Sequence, residues 1–103
     1  MTADEFRAIA LGFPGAEEKS HMNHPDFRVG NKIFATLNDD LTKGMAQFDA
    51  ERQEEYIALD PSFHPAAGAW GRNGSTMITL ATANSDVVRS ALATAWDIRS
   101  KKK

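Results

Sequence analysis

The segment from His24 to Thr36 contains two short runs of alternating residues, separated by Gly30-Asn31. The alternating apolar residues of the first run are Phe27 and Val29. Those of the second run are Ile33 and Ala35, and the alternation continues to Leu37, one residue past the segment. The residues between them are Arg28, Phe34 and Thr36. A period of two is typical of β-strands, and a glycine-asparagine pair readily adopts the positive φ of a tight hairpin turn. The segment therefore predicts an antiparallel β-hairpin.

The remaining chain predicts an α+β fold around this hairpin. Thr2 and Glu5 form a capping-box pattern, and Asp49 and Asn84 are typical N-cap residues, so helices are predicted over residues 3–12, 50–59 and 85–98. The apolar side of the second helix is predicted to be Tyr56 and Leu59 with Ile57. Further strands are predicted over residues 18–23, 42–48 and 75–82. The proline- and glycine-rich residues 61–74 are predicted to form a long structured loop. The expected order is an N-terminal helix, an antiparallel β-meander, a middle helix, the loop, a final strand and a C-terminal helix.

The composition is that of an ordinary globular domain. The chain has 103 residues, of which 42% are hydrophobic and 25% charged, so one domain over residues 1–103 is expected, with Lys101–Lys103 as a frayed tail. The absence of cysteine excludes disulfides, thiolate nucleophiles and cysteine-ligated zinc. The acidic N-terminus and the short apolar run at residues 8–11 predict neither export nor membrane insertion, so a cytoplasmic protein is expected. We expect a monomer rather than an oligomer.

Three stretches of the sequence are more distinctive than the order of helices and strands, which many small folds could share. They are Phe13-Pro14-Gly15-Ala16-Glu17-Glu18, then His24-Pro25-Asp26-Phe27-Arg28-Val29 leading into Lys32-Ile33-Phe34-Ala35, and finally Gly68-Ala69-Trp70-Gly71 with Gly74. In this order and spacing the chain resembles the bacterial-type MmcQ/YjbR family over essentially its whole length. The resemblance implies a CyaY-like α+β fold, in which helices cover one face of an antiparallel sheet, and the family's label of DNA-binding protein.

The sequence departs from the pattern of that family at two places. Ser75 stands where members show a further tryptophan, and Ala46-Gln47-Phe48 stands where they show an apolar residue, lysine and leucine. The second departure removes a basic residue, because glutamine takes the place of lysine. Both weigh against an intact nucleic-acid surface, although neither affects the fold.

The net charge of −2 does not favour a general nucleic-acid binder. Residues 49–60 carry −4, however, which leaves +2 on the rest of the chain. The basic residues that could contact double-stranded DNA are Lys19, Arg28, Lys32, Lys43 and Arg72. Arg28 and Lys32 flank the hairpin turn, so its tip could present both to phosphates, with weak and salt-sensitive binding. The alternative is an ordinary surface of mixed charge.

A second hypothesis is a protein- or small-ligand-binding groove beside the loop that contains His64, Trp70 and Arg72. The glycines around Trp70 suggest that its ring is a stacking platform for a ligand. The interpretation that the sequence favours is that this side chain folds back and seals one end of the core. Phe27, Phe34 and Trp96 are predicted to be core residues.

No constellation of residues indicates an enzyme. The chain has no G-x-S-x-G nucleophile elbow and no P-loop, and its paired carboxylates are adjacent in sequence, so their side chains diverge. His21 and His24 could hold a metal with Glu17, Glu18 or Asp26, but histidine and aspartate before a strand more often form a turn. A non-enzymatic binding module with no metal and no cofactor is therefore expected.

Overall fold

The computed structural model describes residues 1–101, except for the side chain of His21. Within this range the helices are α1 (Ala3–Leu11), α2 (Ala50–Leu59), α3 (Gly68–Arg72) and α4 (Ser85–Ser100). The strands are β1 (Glu17–His21), β2 (His24–Val29), β3 (Lys32–Leu37), β4 (Lys43–Gln47), β5 (Phe63–Pro65) and β6 (Ser75–Thr79). The α+β class is confirmed. The tail prediction for residues 102 and 103 lies outside the described range, and no helix within that range is long and apolar enough to cross a membrane.

The predicted helix caps are all present. Thr2 and Glu5 complete a capping box at the start of α1, and the side chain of Asp49 accepts a hydrogen bond from the backbone of α2. The side chain of Asn84 accepts two backbone hydrogen bonds at the start of α4. These short-range interactions satisfy amide groups that have no partner inside the helix, which explains why each helix begins where the sequence predicts it.

The six strands form one antiparallel sheet in the order β1-β2-β3-β4-β6-β5. Gly30 and Asn31 both have positive φ, 57° and 67°, as the predicted turn between β2 and β3 requires. Helices α1, α2 and α4 cover one face of the sheet. Phe6 of α1 lies over this face, with its ring centroid 6.1 Å from that of Phe27.

A β-bulge in β3 changes which residues of this strand face the helices. Phe27 lies opposite Ala35 while the next residue, Arg28, lies opposite Ile33, so Phe34 is an extra residue on β3. Phe34 and Ala35 are both fully buried, whereas Ile33 lines the opposite face. The prediction of Phe34 in the core is confirmed, and the prediction that Ile33 shares a face with Ala35 was wrong because the bulge interrupts the alternation.

The segment predicted to be a long loop contains two short regular elements. Strand β5 pairs with β6 at the edge of the sheet, and α3 begins after two intervening residues. Strand β6 ends at Thr79, earlier than predicted, and continues as a 3₁₀ turn over Leu80–Thr82. Strands β5 and β6 are therefore joined through helix α3, and not by an irregular loop.

Helix α2 buries a different set of residues from the predicted one. Tyr56 is buried as predicted, and its ring stacks on those of Phe48 and Phe63 at 5.0 and 5.9 Å between centroids. Leu59 was predicted on the apolar side but is 65% exposed, whereas the amide side chain of Gln53 is buried. Because Gln53 is polar, hydrophobic periodicity gave no sign of its burial.

Asp60 connects the end of α2 to the start of α4. This carboxylate is buried and accepts hydrogen bonds from the backbone N–H groups of Ser62 and Asn84, at 2.9 and 3.0 Å. Burial acts to raise the pKa of Asp60, but the hydrogen bonds from Asn84 and Ser62 outweigh it and lower that pKa below its usual value.

We expect Asp60→Asn to reduce the free energy of unfolding by about 1.5–3 kcal/mol near neutral pH, because hydrogen bonds to a charged acceptor are lost. The pKa of Asp60 is lower in the folded than in the unfolded chain. The stabilisation is therefore complete above the unfolded value of about 3.9 and is lost as the pH falls through the folded value. Urea unfolding of both proteins across this range measures the effect, and a difference in stability that does not shrink on acidification would contradict it.

Candidate functional site

The face of the sheet opposite α1, α2 and α4, here called the open face, carries a row of side chains that crosses all six strands. Residues paired across neighbouring strands share a face, so the pairing register defines the row. In the order of the strands it consists of Lys19, Asp26, Thr36, Met45, Met77 and His64. Polar residues therefore lie towards both edges of the open face, and two methionines lie between them.

A groove of about 420 Å³ lies over the centre of the open face. Its floor is formed by strand residues and one of its walls by the chain at the start of α3. The lining residues are His24, Ile33, Thr36, Asn38, Met45, Gln47, Ala66, Ala67, Trp70 and Met77. The surface is apolar around the two methionines and the tryptophan, with a few polar groups at its margins.

Trp70 stands at this groove as an exposed side chain. It is 70% exposed, so the prediction that it folds back to seal the core was wrong. Trp70 belongs to a helix of five residues whose buried position is Gly71. The glycine next to the tryptophan occupies the inner side of α3, and the indole lines the groove instead.

The glycines of the tryptophan motif allow α3 to pack closely on its neighbours. A Cβ atom at Gly71 would overlap the carbonyl oxygen of Ala66, and one at Gly74 would overlap that of Phe48. Gly74 also has a φ of 108°, which favours glycine. The spacing of these glycines in the sequence thus reflects backbone contacts that fix the helix carrying Trp70.

Buried Gln53 provides a further anchor for α3. Its Nε2 donates hydrogen bonds to the carbonyl oxygens of Gly71 and Ser75, at 2.9 and 3.1 Å. This side chain therefore ties α2 both to the end of α3 and to the start of β6. Sequence reasoning missed it, because a lone glutamine among the acidic residues of α2 gives no signal of a structural role.

The two departures from the family pattern meet at one end of the groove. Gln47 of β4 and Ser75 of β6 are paired across the sheet, and Ser75 Oγ donates a hydrogen bond of 2.8 Å to Gln47 Oε1. Arg99 of α4 donates a second hydrogen bond to the same oxygen, with Nη2 at 3.4 Å. The sequence gives no indication that the two positions are in contact, because their contact depends on the pairing of β4 with β6.

Arg28 is engaged in an ion pair on the open face. Its Nε lies 2.7 Å from Oδ1 of Asp26 and its Nη2 lies 3.1 Å from Oδ2, and the carboxylate of Asp26 is fully buried. The hydrogen bond with Asp26 raises the pKa of Arg28, so the guanidinium remains charged. A buried carboxylate thus already balances the charge proposed for phosphate contact.

The structure does not bring the five basic candidates together. Arg28 is paired with Ile33 and Lys32 with Val29, so Arg28 and Lys32 project from opposite faces of the hairpin. Lys19 and Lys43 share the open face but lie on β1 and β4, three strand spacings or about 14 Å apart. Arg72 is exposed at the end of α3.

The histidines occupy different parts of the open face. His24 lines the groove, whereas His64 lies beside Met77 on the edge strand β5, outside the lining. Among the described side chains, no three metal-ligating residues form a group that could hold an ion. The part of the metal alternative that depends on the side chain of His21 lies outside the described structure.

The fold and the groove together define a class: a small α+β domain in which three helices cover one face of an antiparallel sheet and the other face bears an open groove. The family model of YjbR matches residues 11–98, and the chain belongs to the YjbR family, as its sequence motifs indicated.

Among solved structures, the chain is similar to the crystal structure of Deinococcus radiodurans protein DR2400, which carries the family-model domain DUF419. The TM-score is 0.81 at 22% sequence identity, over 98% of this chain and 80% of the other. This likeness shows a shared fold. No curated protein matches the sequence significantly.

Proposed function

We propose that the domain is a binding module that takes a small, largely apolar ligand in the groove beside Trp70. The observation that supports this most is the groove itself, about 420 Å³ in volume, with Met45 and Met77 on its floor. Small-molecule sites are typically concave, mostly apolar and roughly 300–1,000 Å³ in size, with a few polar groups that orient the ligand. The groove has each of these properties.

The exposure of Trp70 supports the same function. An exposed tryptophan leaves a large apolar surface in water, and covering it gains roughly 25 cal/mol per Å². The helix that carries Trp70 is fixed by Gly71, Gly74 and Gln53, so the backbone of Trp70 is held beside the groove that the indole lines. A ligand between Trp70 and the sheet would bury this surface without first having to order the helix.

The methionines of the floor suit a ligand surface. Met45 and Met77 are directly paired across β4 and β6 and are only partly buried. Methionine is flexible and polarisable, and its sulfur makes favourable contacts with aromatic rings. The floor can therefore adapt to an aromatic ligand whose other side contacts Trp70.

The nucleic-acid hypothesis has weaker geometric support. Arg28 is paired with a buried carboxylate, and the hairpin places Arg28 and Lys32 on opposite faces. Phosphate binding draws its affinity from several unpaired cations that act together. DNA binding remains a prediction, and we include a duplex as a competing outcome of the experiment below.

The test is an NMR titration of protein labelled with ¹³C at the methionine methyl groups, using 2-acetylnaphthalene as the probe. The methyl signals of Met45 and Met77 should shift in a saturable manner, because both groups line the groove. Met22, which is 87% exposed and lies at a hairpin tip, should not shift and serves as an internal control. Met1, beside a second groove between α1 and α4, should likewise not shift.

Two results of this titration would contradict the proposal. The first is the absence of any shift up to the solubility limit of the probe, and the second is a shift at Met1 with Met45 and Met77 unchanged. A parallel titration with a short DNA duplex at low salt tests the competing function. Shifts that follow addition of duplex, and not of probe, would favour the nucleic-acid hypothesis instead.

A further inference from the structure

We infer that the ligand is a planar aromatic molecule with a carbonyl or carboxylate oxygen, and that the amide nitrogen of Gln47 donates a hydrogen bond to this oxygen. The inference rests on the proposed function and adds the chemical class of the ligand. It is carried by the orientation of one side chain at the edge of the groove.

The contacts of Gln47 fix which end of its amide faces the protein. Oε1 accepts hydrogen bonds from Ser75 Oγ at 2.8 Å and from Arg99 Nη2 at 3.4 Å. A guanidinium has donors and no acceptor, so the atom facing Arg99 must be the oxygen. The amide nitrogen Nε2 therefore points away from both partners.

The nitrogen of this amide is an unused donor at the groove. Among residues 1–101, Nε2 of Gln47 has no hydrogen-bond partner, and the only side-chain atom there that is both buried and unpartnered is Arg99 Nε. Nε2 therefore retains access to solvent, and Gln47 lines the groove. A ligand oxygen can replace the water that this donor binds in the free protein.

Arg99 makes Gln47 a stronger donor. Its side chain is partly buried, and within the described part of the chain it forms no ion pair with a carboxylate. A positive charge held against Oε1 polarises the amide and draws electron density from Nε2, which strengthens its hydrogen bond to an electron-rich acceptor. This favours a carbonyl or carboxylate oxygen over a second donor at the same place.

The apolar part of the groove indicates the rest of the ligand. Trp70 offers an aromatic ring and the paired Met45 and Met77 offer two thioether sulfurs. Both kinds of side chain interact favourably with aromatic rings. A flat ring system thus fits between the wall and the floor, with its oxygen directed towards Gln47 at one end.

The experiment compares two probes of similar shape, 2-acetylnaphthalene and 2-isopropylnaphthalene, which differ in the carbonyl oxygen. The affinities are measured from the methyl shifts of Met45 and Met77. We expect the acetyl compound to bind about fivefold more tightly to the wild-type domain, as one net hydrogen bond allows.

The variant Gln47→Met should remove this preference, so that the ratio of the two affinities falls from about five to about one. Because it would leave the buried hydroxyl of Ser75 without its acceptor, the double variant Gln47→Met with Ser75→Ala is the matched, better-folded form. Thr36→Val is the control, since it removes a polar group from another part of the lining and should keep the preference.

The outcomes separate this inference from the proposed function. If neither probe binds, the proposed function fails. If both bind equally to the wild-type domain, or if the preference persists in both Gln47 variants, the inference fails while the groove remains a ligand site. Loss of the preference in the Gln47 variants, and its retention in Thr36→Val, is the result that the inference predicts.

Discussion

Replacing Gly71 by alanine is expected to lower the free energy of unfolding by at least about 3 kcal/mol and to abolish binding of 2-acetylnaphthalene. The new Cβ would overlap the backbone carbonyl of Ala66, which cannot rotate aside as a flexible side chain could. Relief of the overlap requires α3 to move away from β5 and β6. That movement would also weaken the hydrogen bond from Gln53 to the Gly71 carbonyl and displace Trp70 from the groove.

Gly12→Ala is the matched control for this prediction. A Cβ at Gly12 would meet its nearest neighbour, the carbonyl oxygen of Ile9, at 3.4 Å, and the residue already has an α-helical conformation with a φ of −75°. Its stability in urea should stay close to that of the wild type. A Gly71→Ala protein that unfolds at the same urea concentration as Gly12→Ala would show that the close packing of α3 is not required.

Trp70→Ala is expected to weaken binding of 2-acetylnaphthalene about tenfold while changing the stability of the fold by less than about 0.5 kcal/mol. The indole is 70% exposed, so its removal leaves little of a core cavity. Loss of one aromatic stacking partner typically costs roughly 1–3 kcal/mol of binding free energy. A large effect on binding without an effect on folding is the behaviour of a residue that contacts the ligand.

The control for Trp70→Ala is Leu59→Ala, at an apolar side chain of similar exposure, 65%, on α2 and outside the groove lining. Its affinity for the probe should equal that of the wild type. Trp70→Phe, which keeps an aromatic ring, should recover much of the lost affinity. Equal loss of affinity in Trp70→Ala and Leu59→Ala would indicate nonspecific adsorption of the probe and would contradict the assigned role of Trp70.

Much of the fold was predictable because local interactions determine it. The caps at Thr2, Asp49 and Asn84 and the turn at Gly30-Asn31 each depend on a few neighbouring residues, and all are present. The bulge in β3 was not predictable, since it depends on how β2 pairs with β3. Leu59 was misplaced because the face of α2 that is buried depends on distant partners.

The candidate site was predictable only in part. The sequence singled out Trp70 and its glycines, but the favoured interpretation of a sealed core was wrong because Gly71, and not Trp70, occupies the inner side of α3. The two methionines of the floor were not predicted. Met45 and Met77 come together only because β6 crosses over to pair with β4, which no local pattern reveals.

Gln47 and Ser75 are both departures from the family pattern, and their contact is apparent only in the structure. In the sequence, each departure only removes a basic residue or an aromatic ring from that pattern. Together they form one hydrogen-bonded unit that presents an oriented donor at the groove. A polar end opposite an apolar floor is what gives the groove a chemical preference.

Intermolecular nuclear Overhauser effects between the aromatic protons of 2-acetylnaphthalene and the protein would locate the bound ligand. Cross-peaks are expected to the methyl groups of Met45 and Met77 and to the indole of Trp70, which all line one groove. Trp96 is the internal reference, because its indole stacks on Phe13 away from the open face. Cross-peaks to Trp96 or Met1, with none to Met45, Met77 or Trp70, would show that the ligand does not occupy this groove.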